Sequence, residues 1–278
     1  MERRRRARYT ESVKRAKAAF AVAVLSLHLG AACGGSGCAT TDDEEAKTPV
    51  GTVIGYVRLE AGAALPMYPE AVLSREPLRP RARPEPVPEE CAAAARASRM
   101  PVRMSQARGL SGLLVTASDF RRSPAYEPAA QRVRIERCAL TPQTLAMSDK
   151  DRLVLENLDA FPFAPLYGPA YEPRALRRNE KLFIPVRPGT IEPLACSADA
   201  PCGRSDVFVL RHPVHAVTDE LGAFRIGNFP AGEQVRLTAV HPLFEDSETV
   251  LWVEPNETVR VELLARPKPR FVQPEPAP

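Results

Sequence analysis

From Gly51 onward, hydrophobic and polar positions alternate with a period of two. Val53, Gly55 and Val57 take one parity, and Ile54, Tyr56 and Arg58 take the other. That pattern predicts a first strand. Comparable runs predict strands over 112–116, 131–136, 152–156, 181–186, 206–210, 215–218, 223–226, 235–240, 249–253 and 258–263. Asp219-Glu-Leu-Gly222 predicts a hairpin turn, with Gly222 where positive φ is wanted. Phe229-Pro-Ala-Gly-Glu233 predicts a second turn, and Pro255-Asn256 a third. Short strands at this spacing indicate an all-β sandwich. Residues 65–90 interrupt the rhythm with prolines at 66, 69, 77, 80, 84, 86 and 88. Such a stretch is neither a central strand nor a helix, and reads as a long extended loop. The alanine-rich run 89–98 predicts a short helix by propensity.

Upstream of the strands the pattern changes in kind. Arg3, Arg4, Arg5, Arg6, Arg8, Lys14, Arg15 and Lys17 precede an apolar run from Ala18 to Leu27, and His28-Leu-Gly-Ala-Ala-Cys33 ends on small residues. A positive segment, an apolar segment of about 10–15 residues and a small-residue end describe a secretory signal peptide, placed at 1–32. The run is short for a membrane span, and consecutive arginines do not enter a core unpaired. The end of the signal resembles a bacterial lipobox, in which a Leu stands three residues before the Cys. Here Leu29 stands four before Cys33 and Gly30 holds the usual Leu position. Cleavage after Ala32 by an ordinary signal peptidase fits the small residues equally well. The segment 33–50 is small, polar, acidic and without periodicity, a flexible tether that favours lipidation at Cys33. The expected location is the bacterial periplasm or outer membrane, with membrane contact through the lipid.

Charge sharpens this division. The chain has 38 basic and 34 acidic residues, a net +4. Residues 1–32 hold eight basic and two acidic ones, so the remainder carries 30 basic against 32 acidic. The basic excess belongs to the export signal, and no nucleic-acid partner is expected. An apolar content of 44% supports a buried core. The 29 prolines lack a Gly-x-y period and exclude collagen. Instead they mark the loop at 65–90 and a tail over 266–278.

His212-Pro-Val-His-Ala-Val-Thr-Asp219, with Gly222-Ala-Phe-Arg-Ile-Gly-Asn-Phe-Pro-Ala-Gly232 and Thr238-Ala-Val-His241, resembles the C-terminal module of methylamine-utilisation-type, plastocyanin-like periplasmic proteins. The same hairpin is similar to carboxypeptidase regulatory-like (transthyretin-like) domains, whose opening G-x-V-x-G-x-V is matched by Gly51-Thr-Val-Ile-Gly-Tyr-Val57. Cys138-Ala-Leu-Thr-Pro142 and Asn157-Leu-Asp159 resemble further stations of the first family. The resemblance implies a degenerate cupredoxin-like Greek-key sandwich over 51–205 and a carboxypeptidase regulatory-like β-sandwich over 206–265. The second module is expected to reclaim the first strand. This architecture is shared with carbohydrate-binding folds.

A type 1 copper site needs a thiolate, two imidazoles and a weak axial thioether. The family's spacing puts its four ligands at Phe163, Cys196, Asp199 and Cys202, where only the thiolate position survives. No copper, other metal or cofactor is therefore expected. Two cysteines six residues apart in an oxidising compartment suggest a Cys196–Cys202 disulfide that replaces the metal as a staple. The resemblance likewise implies Cys91 with Cys138, although four cysteines allow 3 pairings. Zinc spacing is absent. His212, His215 and His241 are a possible convergent set, against which stands a structural hydrogen-bonding role for His212 and His241. No nucleophile elbow or phosphate loop occurs, so the chain is not expected to be an enzyme. Trp252 and Tyr56 read as core or sheet-face residues. The expected function is a non-catalytic envelope binding or structural role, with loops 65–90 and 161–180 contacting a protein or glycan partner. The alternative is a periplasmic copper or redox protein.

Overall fold

In the computed structural model the described residues are 48–75, 88–169 and 174–272. The expected signal, most of the tether with Cys33, the centre of the proline-rich loop and the end of the tail lie outside them. Sixteen strands follow in chain order among the described residues. They are β1 (Val50–Leu59), β2 (Ser74–Arg75), β3 (Leu114–Ser118), β4 (Ala130–Glu136), β5 (Ala139–Thr141), β6 (Thr144–Ser148), β7 (Arg152–Asn157) and β8 (Pro165–Tyr167). Then come β9 (Lys181–Ile184), β10 (Thr190–Ser197), β11 (Arg204–Leu210), β12 (His215–Val217), β13 (Ala223–Pro230), β14 (Gln234–Val240), β15 (Ser247–Trp252) and β16 (Thr258–Ala265). A single α-helix among these residues, α1, spans Glu89–Ala97. The protein is all-β, as the alternation predicts.

Two hydrophobic cores organise the strands. Sheet β13-β1-β16 and sheet β12-β3-β14-β15 supply the first, which includes Val53, Val57, Val115, Phe224, Phe229 and Leu237. β1 alternates buried and less buried positions along its length. It pairs antiparallel with β13 and parallel with β16. Strands β2-β10-β11-β6, with β8 added beside β10, and sheet β5-β4-β7-β9 supply the second core. Val133, Ile135, Leu153, Phe163, Leu194 and Val207 lie in it.

Strand pairing divides the molecule differently from a cut at 205/206. That cut passes through β11, whose Val207 and Val209 belong to the second core. β3, well upstream of the cut, pairs with β12 and β14. The C-terminal segment thus completes its sandwich with β1 and β3, because an apolar sheet face must be covered by another layer. All described residues fall within one compact unit, Glu45–Pro278.

Local chemistry sets the turns. Gly222 has φ 80°, and a Cβ there would meet the backbone nitrogen of Leu110 at 2.5 Å. Both the conformation and the close approach therefore require glycine. Asn256, before β16, takes φ 64°. In α1, Cys91 and Ala95 lie one turn apart and are both buried. The expected loops are more anchored than their composition suggests. Tyr68 and Leu73 are buried in the first core, and Phe163, Leu166, Tyr167 and Leu176 are buried too.

Candidate functional site

The Asn157-Leu-Asp159 station shapes the loop around the expected copper-site positions. Asn157 Nδ2 donates to the carbonyls of Phe161 at 2.7 Å and Leu176 at 2.9 Å. Its Oδ1 accepts the Asp159 amide at 2.9 Å. Asp159 accepts the amides of Arg137 at 2.8 Å and Cys138 at 2.6 Å. Those two residues hold positive φ of 53° and 60° in the β4–β5 turn, so the carboxylate caps a tight backbone reversal. Cys138 in turn is bonded to Cys91, with Cα atoms 4.9 Å apart. Asn and Asp here bind backbone, one side chain fixing the next.

Beyond this hub, Phe163 is fully buried and pairs by backbone with Leu176. Cys196, at the end of β10, and Cys202, before β11, are fully buried and joined, with Cα atoms 5.3 Å apart. Asp199 is half-buried on the turn between them. Phe163, Cys196 and Cys202 belong to one hydrophobic cluster. The spacing argument therefore brings these positions to one place, but the groups there are a phenyl ring and a disulfide. A disulfide sulfur carries no thiolate charge and is not a copper ligand of type 1 character. Among the described residues no group of three His, Cys, Asp or Glu stands as a metal site.

His212 and His215 are neighbours, but the three histidines do not form one metal-binding group among the described residues. His215 lies on β12 opposite Thr116, whereas His241 follows β14, one residue past the Val240–Leu114 pair. His212 Nδ1 accepts the Val214 amide at 3.3 Å, and its ring packs edge-on against Phe120 at 5.1 Å. His241 is buried, and its Nδ1 accepts the Leu243 amide at 3.2 Å. Burial pushes His241 down to about 4, and burial together with the neighbouring His215 pushes His212 down to about 4. Both therefore remain neutral at ordinary pH.

Sequence reasoning passes over a buried polar network that joins the two cores. The Tyr68 hydroxyl donates to Asp206 Oδ2 at 2.5 Å. Arg204 donates to Asp206 Oδ1 from Nη2 at 2.7 Å and from Nε at 3.0 Å. The Arg204 guanidinium lies 4.4 Å from the Tyr68 ring centre. The ring of His241 stands 6.4 Å from that of Tyr68. Burial, and then the Asp206 charge, hold the Tyr68 phenol far above its usual range. Tyr68 comes from the proline-rich loop, Arg204 and Asp206 from β11. Since 138 residues separate Tyr68 from Asp206, no local pattern announces the pair. Every polar group has an internal partner except His241 Nε2, and Arg204 alone also lines a small surface hollow of about 220 Å³. The network is a lock between cores.

The described surface also has openings. An apolar groove of about 670 Å³ runs beside α1, with Met100 and Met104 on its wall. A smaller hollow of about 330 Å³ lies beside β8 and β10, with Tyr167, Arg187 and Glu192 in its lining. Trp252 and Tyr56 are half-exposed on sheet faces. No family model, no curated protein and no solved structure matches this chain.

Proposed function

We propose that the chain is an exported, lipid-anchored bacterial envelope protein with a non-catalytic binding or structural role. The observation that carries this reading is the pair of disulfides, Cys91–Cys138 and Cys196–Cys202. Such bonds persist in oxidising compartments, in keeping with the basic and apolar N-terminal pattern. The second of them also occupies the positions that the cupredoxin resemblance assigns to the thiolate and the thioether. The reading is of a cupredoxin-like scaffold whose metal loop has become a covalent staple, paired with a regulatory-like β-sandwich. A copper or redox role would need Cys196 as a free thiolate, and the disulfide weighs against it. The partner in this reading is a glycan or another envelope protein.

Replacement of Cys33 tests the anchor. In a bacterial host the native chain is expected in the membrane fraction, with the mass of a diacylglyceryl adduct on its N-terminal Cys. Cys33→Ser is expected in the soluble periplasmic fraction or as unprocessed precursor. A native chain that is soluble and unmodified, with Ala32 as its last removed residue, contradicts lipidation. A native chain retained in the cytoplasm contradicts export itself.

A further inference from the structure

The hollow beside β8 and β10 has the elements of a small-ligand site. Tyr167 stands opposite Leu194 across the β8–β10 pair, and Glu192 is two residues further along the same face of β10. Opposite and diagonal positions of this kind lie close enough for long side chains to meet over one spot. Tyr167 is only 4% exposed, yet its hydroxyl has no hydrogen-bond partner. A buried hydroxyl left unpaired is destabilising, so an occupant that pairs it gains from doing so. Burial and the Glu192 charge push the phenol up to about 12, so it stays protonated and able to donate. Glu192 is also buried, and Arg187 Nη2 donates to its Oε1. The two charges cancel within the hollow. Gly168 makes the arrangement possible: a Cβ there would lie 2.9 Å from Glu192 Oε2. Pro169, Pro185 and Val186 complete the walls with C–H surface.

We propose that this hollow binds a neutral saccharide ring, its vicinal hydroxyls held by Tyr167, Glu192 and Arg187 and its apolar face laid on the prolines. The chemistry selects the class. Adjacent ring hydroxyls donate and accept at once, which suits a carboxylate acceptor beside phenol and guanidinium donors. A charged ligand has no counter-charge to meet, because Arg187 and Glu192 already neutralise each other. The volume, about 330 Å³, falls at the small end of ligand pockets and suits a terminal sugar rather than a long oligomer. The proposal deepens the binding role inferred above, naming its ligand class, and is independent of the lipid anchor.

Saturation-transfer NMR on the purified full chain tests it, with methyl β-glucoside and N-acetylglucosamine as probes and glycerol as control. Saturation transfer to at least one ring, and none to glycerol, is expected. Tyr167→Phe keeps the ring and removes the orphaned hydroxyl. It is expected to leave the melting temperature unchanged or raised while weakening the sugar about tenfold, the loss of one hydrogen bond. Glu192→Gln is expected to weaken binding as well, with the fold retained by circular dichroism. No transfer to either sugar overturns the proposal, as does binding that is equal in the native chain and Tyr167→Phe, which would leave the hydroxyl to water alone. The Cys33→Ser fractionation above keeps its own outcome in each case, so a failed sugar site and a failed envelope assignment are told apart.

Discussion

His241 illustrates how a single buried side chain ties stability to pH. The imidazole is almost fully inaccessible, one nitrogen is engaged by the Leu243 amide, and burial holds it down to about 4. Above about pH 6.5 it is neutral in both folded and unfolded chains, and its contribution is constant. Between about 6.5 and 4 the unfolded chain binds a proton there and the folded chain does not. Stability is therefore present above the unfolded value and lost as pH falls towards the folded one, by on the order of 3 kcal/mol from this group. Urea denaturation of the native chain and of His241→Gln across pH 7 to 4 measures it. The slope of stability against pH is expected to be shallower in the variant, and equal slopes would refute the assignment. Asp206 raises a different question, since it satisfies both Tyr68 and Arg204. Asp206→Ala leaves the part-buried Arg204 without its carboxylate and the Tyr68 hydroxyl without its acceptor, and a loss of about 3 kcal/mol is expected by the same denaturation assay. Asp206→Ala with a loss below about 1 kcal/mol would mean that the network is not a lock.

At the scale of elements, strands with one solvated face were legible by alternation, and β11, buried on both faces, was legible only because Val207-Phe-Val-Leu210 is an unbroken β-forming apolar run. β1, β4 and β14 show the expected alternation of burial. β6 is buried at four of its five positions, so Thr-Leu-Ala-Met-Ser has no polar parity to read. β10 was obscured by Pro193, which usually argues against a strand. It is tolerated here between Asp206 on β11 and the β8 side, where Pro193 needs only its carbonyl, accepting the Gly168 amide at 3.1 Å. The cysteine pairs were legible through the resemblance and one short spacing. Tyr167 and Glu192 were not, because no sequence motif distinguishes a phenol without a partner from one with a partner. The two disulfides close loops of very different length, 47 and 6 residues. Chain entropy predicts that replacing Cys91 and Cys138 by Ser costs about 4 kcal/mol, and replacing Cys196 and Cys202 about 2 kcal/mol. Paired equilibrium denaturation of the two double variants checks the order, and a larger loss for the shorter loop would contradict the entropic account.

Across the whole molecule, two cores share one chain without dividing it at a single point. β1 and β3 serve the C-terminal sandwich, and Tyr68 reaches from the proline-rich loop to β11. Such interleaving suits a rigid scaffold that presents a small hollow more than a pair of independently moving modules. It also explains why the described parts of the expected loops bury Tyr68, Leu73, Phe163 and Leu176. Cys196, the position that the cupredoxin resemblance assigns to a thiolate, is bonded instead to Cys202. Non-reducing peptide mapping of the purified protein, with copper analysis on the same sample, tests directly whether this bond replaces a metal site. The predicted result is Cys196 linked to Cys202, Cys91 linked to Cys138, and no stoichiometric copper after reconstitution. A free Cys196 thiol, with one copper per chain and an intense thiolate-to-copper absorption band, would contradict it.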